Sequence, residues 1–320
     1  MTEIRKAKTF IKRAAVEHIQ DSVTLHWPSL HRLFYKRPRV VSTELTNDCN
    51  LNCNMCYRGK RRAGVGYMDF DLFKRVVDEA AQIGDVTLSL FLGGEPTLHP
   101  RFDKLIEYAM SHRRRLYEVG FDTNGMLMDK RKSECIVRSG VDYVIFSLEG
   151  IGGLTENIRL GSVYEVVERN ILNLLDIRGN HTKPRVSTNT TISVQSDSEL
   201  KAIYDRWHGK LDAVSFNACL DENFRIINWS TLHRWNPRYK LPQFCTMPFY
   251  QIHVLWNGDV TYCCHDINSE GIVGNVYDNS LIDIWRGDRL AAIRQGILCG
   301  KKVGLCSKCM KFNNENEFDN

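Results

Sequence analysis

The sequence has no long hydrophobic run and no strong excess of one charge. None of its apolar stretches approaches the roughly 18–20 residues that span a bilayer, and the N-terminus lacks the apolar core of a signal peptide. A cytoplasmic protein is therefore expected. The formal net charge is +5 over 320 residues, and basic residues do not alternate with aromatic ones as in base-stacking surfaces. No nucleic-acid partner is expected.

Cysteine, by contrast, is abundant. The chain has 11 cysteines and no secretory signal, which argues against a disulfide scaffold and for metal binding in a reducing compartment. Residues 48–59 read DCNLNCNMCYRG, with Cys49, Cys53 and Cys56 in C-x3-C-x2-C spacing. Three thiolates on one loop can hold three irons of a [4Fe–4S] cube and leave the fourth iron for another ligand. A structural zinc site is the alternative, although zinc normally takes four ligands.

Together with Tyr57, which follows the third cysteine, and the Gly-Gly-Glu-Pro sequence at 93–96, this loop resembles that of the radical S-adenosylmethionine (SAM) superfamily. The resemblance extends roughly over residues 40–311. It implies that the amine and carboxylate of SAM chelate the open iron. It also implies that an electron from the cluster cleaves SAM to a 5′-deoxyadenosyl radical, which takes a hydrogen atom from the substrate. A reductant such as flavodoxin or ferredoxin would supply the electron.

The hydrophobic pattern predicts an α/β fold. Strand-like runs alternate with helical stretches, which is typical of βα repeats and a parallel sheet. We predict strands near 40–46, 86–92, 117–122, 142–147, 186–193 and 212–218, and helices near 70–83, 101–113, 130–139, 163–178 and 197–207. Six such units match the partial (β/α)6 TIM-like barrel of radical SAM enzymes. The cysteine loop then follows the first strand, at the carboxyl edge where such sheets place ligands.

By the same resemblance, SAM contacts are expected where strands end. Gly93, Gly94 and Glu95 would receive the ammonium group of SAM, because glycines let backbone approach a ligand closely. Tyr57 belongs to the cofactor site as well. Asn124 would contact the ribose, although Asp-Thr-Asn-Gly at 122–125 is also an ordinary tight turn.

Two further strand ends carry candidate side chains. Glu149 stands where related enzymes often have Asp, and its longer carboxylate could reach the ribose or the substrate, so it is a candidate catalytic residue. Arg159 matches an arginine that pairs with the methionyl carboxylate, which a guanidinium binds bidentately; a surface arginine is the alternative. Asn189 and Thr191 alternate on the fifth strand and should face the same inner side. They either touch the adenosyl group or line the barrel.

A second cysteine group follows the barrel. Cys245 and Cys263 flank a predicted hairpin at Asn257-Gly258, and a helical stretch over 280–295 leads to Cys306-x2-Cys309. Four thiolates can close over one metal centre, and a four-cysteine zinc site is the alternative. With the N-terminal loop, this tail resembles the SPASM/Twitch extension of radical SAM enzymes. Its cysteines are too few for two clusters, so one auxiliary [4Fe–4S] cluster is expected on Cys245, Cys263, Cys306 and Cys309, as in the shortened arrangement of aminocyclitol dehydrogenases.

Four cysteines remain. Cys135 lies in a helical pattern and is expected in the core. Cys219 and Cys264 are candidates to donate a hydrogen atom to a product radical, as in radical SAM epimerases, and Cys264 is counted among the catalytic residues; an inert thiol is the alternative for both. Cys299 could replace one of the four cluster ligands.

The predicted domains are a basic helical extension (1–39), the barrel (40–235) and the auxiliary-cluster domain (236–320). The extension could meet a membrane surface or an acidic partner, or pack on the barrel with its charges solvated. It is too short for the winged-helix-like module of many peptide-modifying relatives. Oxidation of a small-molecule or sugar-like substrate is therefore the expected reaction, with full cysteine ligation giving the auxiliary cluster an electron-transfer role. Epimerisation, peptide modification and, remotely, a zinc-binding nucleic-acid module are the alternatives.

Overall fold

The computed structural model describes residues 35–56, 64–221, 225–238, 245–266 and 268–309. The predictions for Tyr57 and for the basic helix of the N-terminal extension therefore lie outside the described residues. Among the described residues, no helix has the length and apolar character needed to cross a membrane.

Six parallel strands form the centre of the fold, as predicted. Each pairs with the next along the chain: β1 (Val40–Thr43), β2 (Thr87–Ser89), β3 (Glu118–Thr123), β4 (Tyr143–Ser147), β5 (Arg185–Ile192) and β6 (Ala213–Leu220). The first strand ends earlier than its apolar pattern predicts. Beyond Thr43 the chain turns to pair with the segment before the first helix, where Thr46 bridges Tyr67 and the Met68 amide donates to the Leu45 carbonyl at 2.8 Å.

Helices connect the strands. They are α1 (Phe70–Ile83), α2 (Phe102–Ser111), α3 (Lys130–Ser139), α4 (Gly153–Ile158), α5 (Tyr164–Arg178) and α6 (Asp197–Trp207). Side chains that accept a backbone N–H begin three of them, Asp69 for α1, Asp129 for α3 and Ser196 for α6, the last as a full capping box with Glu199. The short α4, which leads from β4 towards α5, was not predicted. It has no capping side chain, which removes the usual signal in the sequence.

The C-terminal part adds four short strands and four short helices within the described residues. They are β7 (Ile226–Ile227), α7 (Trp229–Trp235), α8 (Met247–Tyr250), β8 (Gln251–Val254), β9 (Asp259–Thr261), β10 (Ile272–Asn275), α9 (Leu281–Arg286) and α10 (Asp288–Leu298), before a 3-10 turn at Gly304–Lys308. The β8–β9 hairpin forms around Asn257-Gly258 as predicted. The single helix expected over 280–295 is two helices, because Gly287 adopts an extended conformation between them.

This hairpin continues the barrel sheet. Strand β8 pairs in parallel with β1, with Val40 opposite Gln251 and Thr43 opposite Val254. The open sheet therefore has ten strands, in the order β10-β9-β8-β1-β2-β3-β4-β5-β6-β7. The strand that leads into the N-terminal cysteine loop is thus hydrogen-bonded to a strand of the hairpin that Cys245 and Cys263 flank.

The two faces of the sheet differ in polarity. Side chains that pack under the helices are apolar and fully buried, among them Val41, Leu88, Val119, Phe121, Val144 and Phe146. Positions that alternate with these carry Ser42, Ser89, Asp122, Asn189 and Thr191, because successive side chains on a strand point to opposite faces. Polar side chains therefore face the inside of the barrel, which requires partners for them.

Candidate active site

The three cysteines of the N-terminal loop line one cavity of about 320 Å3, which we call the cysteine cavity. The loop leaves β1 and is fixed at both ends: the Asp48 carboxylate accepts the Cys49 amide at 2.8 Å, and the Asn54 amide donates to the Ile158 carbonyl of α4 at 2.9 Å. The cavity is also lined by most of the other predicted SAM-site residues, namely Gly93, Gly94, Glu95, Asn124 and Arg159, and by Thr191. The fold thus brings together residues from five separate segments.

Nitrogen donors surround the cysteine sulfurs. The Leu51 amide lies 3.5 Å from Cys49 Sγ, Asn124 Nδ2 lies 3.7 Å from the same sulfur, and Arg159 Nη1 lies 3.8 Å from Cys53 Sγ. Burial raises the pKa of Cys53 to about 11, and the Arg159 charge acts against this rise. Hydrogen bonds to cluster sulfurs help to set the potential of an iron–sulfur centre. A loop of three cysteines with such donors fits a [4Fe–4S] cluster that has one iron without a protein ligand.

Gly94 and Glu95 connect this loop to the neighbouring strand end. A Cβ atom on Gly94 would overlap the backbone oxygens of Thr46 and Asp48, so only glycine allows this approach. The Glu95 carboxylate is buried and accepts bonds from Thr97, from Thr123 Oγ1 at 2.7 Å and from the Asn124 amide at 2.7 Å. Gly94 thus packs closely against the cysteine loop, and Glu95 braces the loops around the cavity; their contact with the ammonium group of SAM stays a prediction.

Asn124 has a similar bracing role. Its Nδ2 donates to Asn50 Oδ1 at 2.9 Å as well as lying near Cys49, and its Oδ1 accepts the Met126 amide at 3.0 Å. The predicted tight turn and a place on the cavity wall therefore occur together. The side chain links the end of β3 to the cysteine loop.

Glu149 and Arg159 form a bidentate ion pair that the sequence did not predict. The Arg159 Nη2 donates to Glu149 Oε1 at 2.8 Å, and its Nε donates to Oε2. The Glu149 side chain is completely buried, and the Arg159 side chain is 13% exposed. Because the carboxylate holds the Nε and Nη2 nitrogens of the guanidinium, the remaining nitrogen, Nη1, is directed at Cys53. Glu149 thereby orients the arginine of the cysteine site.

The two candidates on β5 are placed at different levels. Thr191 lines the cysteine cavity. Asn189 lies one inward-facing position further from the carboxyl end of β5, and its Oδ1 accepts a bond from Asn217 Nδ2 of β6 at 2.5 Å. It does not line the cysteine cavity in the part of the chain that the structure describes.

The structure gathers five C-terminal cysteines. The charges of Cys264, Cys306 and Cys309 act on Cys245, and those of Cys245, Cys264 and Cys306 act on Cys263. Burial is the main cause that raises the pKa of Cys245 to about 12, and it also raises the pKa of Cys263 and Cys306. Backbone amides donate to Cys245 and Cys263, and the Tyr262 hydroxyl donates to Cys306. This donor set fits a buried iron–sulfur cluster.

The other cysteines are distributed over three places. Cys135 is buried in α3, as predicted. Cys299 ends α10, is exposed, and accepts a hydrogen bond from Gln295 at 2.9 Å. Cys219 lines the cysteine cavity, whereas Cys264 lines an adjoining cavity of about 370 Å3. Each thiol therefore lies on the wall of one of these two cavities, and the role of hydrogen-atom donor stays a prediction for both.

Comparison with known families decides the assignment. The model of the radical SAM superfamily matches residues 43–206, just over half of the chain, and that of an iron–sulfur cluster-binding domain, SPASM, matches residues 245–310. The chain belongs to the radical SAM superfamily. As a radical SAM enzyme it uses SAM and a [4Fe–4S] cluster, and its SPASM domain implies auxiliary iron–sulfur ligation.

Similar proteins differ widely in what they act on. The chain is similar to a Pyrococcus furiosus protein, the tungsten-containing aldehyde ferredoxin oxidoreductase cofactor-modifying protein. The two are 26% identical over 300 residues, and the alignment covers 80% of this chain and 83% of that protein. The structure of BtrN in complex with AdoMet and 2-DOIA is similar with a TM-score of 0.57 and 16% identity, over 82% of this chain and 87% of that one. The structure of anSMEcpe with bound AdoMet and Cp18Cys peptide is similar with a TM-score of 0.67 and 17% identity, over 88% and 93%.

Asp122 and His253 are the site residues that the sequence did not single out. Both line the adjoining cavity. Asp122 belongs to the same strand-end motif as Asn124. Its inward-facing position on β3 is the one signal in the sequence that could have indicated a place in the site. His253 looks like an ordinary alternating residue of the C-terminal hairpin, and only the pairing of β8 with β1 brings it to the barrel interior.

Proposed function

We propose that this protein dehydrogenates a small, sugar-like substrate at an unactivated C–H bond. The observation that carries the proposal is a shared interior: Cys56 of the first cysteine group and His265, next to the second group, line both the cysteine cavity and the adjoining cavity. A substrate held there would lie between the two cysteine sites. Such a position suits a reaction in which the substrate loses a hydrogen atom and then an electron together with a proton, which gives the dehydrogenated product.

Each cofactor would be held by residues already described. Cys49, Cys53 and Cys56 would hold the SAM-binding cluster, and Cys245, Cys263, Cys306 and Cys309 would hold one auxiliary cluster. When bound, these groups supply the 5′-deoxyadenosyl radical that takes the hydrogen atom and a one-electron acceptor. The SAM site and its support would comprise Tyr57, Gly93, Gly94, Glu95, Asn124, Glu149, Arg159 and Asn189. A flavodoxin- or ferredoxin-type reductant completes the system.

The protein's own part is binding and orientation. The Arg159 guanidinium is fixed by Glu149 beside Cys53, so its charge is in place before a ligand arrives. The buried Glu95 holds the ends of β2 and β3 together around the cavity. Preorganised groups of this kind need little rearrangement during the reaction.

Peptide modification is the second candidate function. The similarity to anSMEcpe, whose structure contains a peptide, favours it. The similarity to BtrN, whose structure contains 2-DOIA, and to a cofactor-modifying protein favours a small molecule. The polar side chains of the barrel interior tilt the choice towards a compact, hydroxylated substrate.

The deciding experiment combines metal analysis with SAM cleavage. After anaerobic reconstitution we expect about eight irons per chain, the content of two cubane clusters, and 5′-deoxyadenosine formation under a strong reductant. Candidate substrates deuterated at C–H positions should then transfer deuterium into 5′-deoxyadenosine. Zinc in place of iron, or iron without SAM cleavage, would refute the proposal. Deuterium transfer from a peptide but from no small molecule would replace it by the second candidate.

A further inference from the structure

The adjoining cavity has a wall built from the inside of the sheet. We call it the lumen chamber, defined by Ser42 of β1, Ser89 of β2, Asp122 of β3 and Gln251 and His253 of β8. It shares Cys56, Phe91, Leu92, Gly93 and His265 with the cysteine cavity. A molecule in the lumen chamber would therefore lie next to the SAM site.

His253 carries the first observation. Its side chain is 1% exposed, and neither ring nitrogen has a hydrogen-bond partner among the residues that the structure describes. Buried polar atoms in native proteins are nearly always bonded, since leaving them unbonded is costly. Burial lowers the pKa of His253 to about 3, so the ring is neutral at pH 7 and offers one donor and one acceptor. An imidazole in this condition on a cavity wall indicates a ligand that bonds to it.

Asp122 carries the second observation. Its carboxyl group accepts no hydrogen bond from the described residues, whereas the neighbouring Glu95 accepts bonds from Thr97, Thr123 and Asn124. Burial and the Glu95 charge raise the pKa of Asp122 to about 7. The barrel thus supplies hydrogen-bond donors to the Glu95 carboxyl group, whereas the Asp122 carboxyl group faces the chamber.

The charges of the chamber narrow the ligand class. Besides Asp122, the acidic residues that line the chamber are Glu44 and Asp266, and no lysine or arginine of the described residues lines it. Glu44 accepts the Trp256 amide at 3.3 Å, and Asp266 accepts Thr261 Oγ1 at 2.7 Å, so both are fixed in place. A phosphate or carboxylate would meet acidic groups without a compensating cation. Hydroxyl and amine groups match them.

We propose that the lumen chamber binds the reacting part of the substrate and selects a neutral or cationic polyol over an anionic one. Asp122 accepts a hydroxyl or amine hydrogen, and His253 donates to one ligand group and accepts from another. The inference rests on the proposed function and deepens it. The substrate class is a compact polyol or amino-polyol that has no phosphate or carboxylate on the part that enters the barrel.

Three probes on one carbon skeleton test the charge selection: glucosamine, glucose and glucose 6-phosphate. Binding to the cluster-loaded protein with SAM is measured by anaerobic isothermal titration calorimetry. Glucosamine should bind best and glucose 6-phosphate at least roughly tenfold more weakly, because it brings a like charge against the acidic walls. Equal affinities, tighter binding of the phosphate, or no binding of any probe at millimolar concentration would overturn the proposal.

Two variants identify the groups responsible. Asp122→Asn should abolish the preference for glucosamine over glucose, while Asp278→Asn, at an exposed position without a side-chain hydrogen bond among the described residues, should leave it unchanged. His253→Phe should weaken glucose binding without lowering the midpoint of thermal unfolding, because it removes an unbonded polar group. A strong loss of thermal stability with unchanged binding would show that His253 is structural and overturn its role.

The same samples separate this inference from the proposed function. SAM cleavage to 5′-deoxyadenosine by the wild-type protein reports on the cluster and SAM site alone. Cleavage without the expected ranking of probes would refute the chamber and leave the radical chemistry. The expected ranking without cleavage would refute the proposed function and leave the chamber as a polyol site.

Discussion

The two cysteine sites differ in how charge reaches their sulfurs. At the N-terminal site a buried ion pair directs the Arg159 guanidinium at Cys53, and Cys56 is exposed to the cavity. At the C-terminal site the donors named above are neutral, namely backbone amides and the Tyr262 hydroxyl, and the Lys302 charge also acts on Cys306. Burial is the largest cause that raises the thiol pKa at both sites. We infer that the first site suits a cluster that also binds a charged ligand, and the second a cluster held by the protein alone.

Removing each cysteine set in turn tests this division most severely. Changing Cys49, Cys53 and Cys56 to Ala should abolish 5′-deoxyadenosine formation and lower the iron content from about eight to about four per chain. Changing Cys245, Cys263, Cys306 and Cys309 to Ala should also leave about four irons but retain SAM cleavage without substrate oxidation. Iron analysis and chromatography of 5′-deoxyadenosine check both. Loss of SAM cleavage in the second variant would contradict the division.

The ion pair offers the next largest effect. Glu149→Gln should lower the free energy of unfolding of the cluster-free protein by about 3 kcal/mol, because it leaves the Arg159 charge buried without its partner. The double variant Glu149→Gln/Arg159→Met should recover much of that loss. Chemical denaturation measures all three proteins. Equal stability of the single and double variants would show that the pair acts independently of charge.

Much of the fold, and less of the site, could be predicted from the sequence. Six strands and most of their helices follow from apolar periodicity and caps such as Asp69 and Ser196, which are local signals. The pairing of β8 with β1, the Glu149–Arg159 ion pair and the contact of Asp122 with the chamber depend on residues far apart in the chain. No local pattern encodes them. The cysteine spacing was informative because ligands of one cluster must be close together on one loop.

Gly94 tests whether the N-terminal site depends on its tight loop packing. Gly94→Ala should lower the free energy of unfolding by about 2 kcal/mol and reduce iron incorporation, because the new Cβ overlaps the oxygens of Thr46 and Asp48. Gly64→Ala is the matched control, since a Cβ there meets no atom within 4 Å. Denaturation and iron analysis compare them. A Gly94 variant that behaves like the control would show that the cysteine loop can move away.

The smallest effect concerns His253 and acid. Its folded-state pKa, about 3, lies below the usual value of 6.5, so between these values the unfolded chain binds a proton that the folded chain does not. Wild-type stability should therefore fall with decreasing pH relative to His253→Phe, by about 1 kcal/mol between pH 6 and pH 5. Asp122 and His265 remain in both proteins. Denaturation at several pH values measures the difference, and parallel stability curves would contradict neutral burial of the imidazole.

The parallel pairing of β1 with β8 has a consequence for synthesis. Val40 leaves the ribosome long before its partner Gln251, so the nascent barrel presents the unpaired edge of β1 until most of the chain has been made. The same edge adjoins the cysteine loop. A polypeptide released before Val254 would therefore expose the unpaired edge of β1 beside Cys49, Cys53 and Cys56, and translation to full length covers this edge.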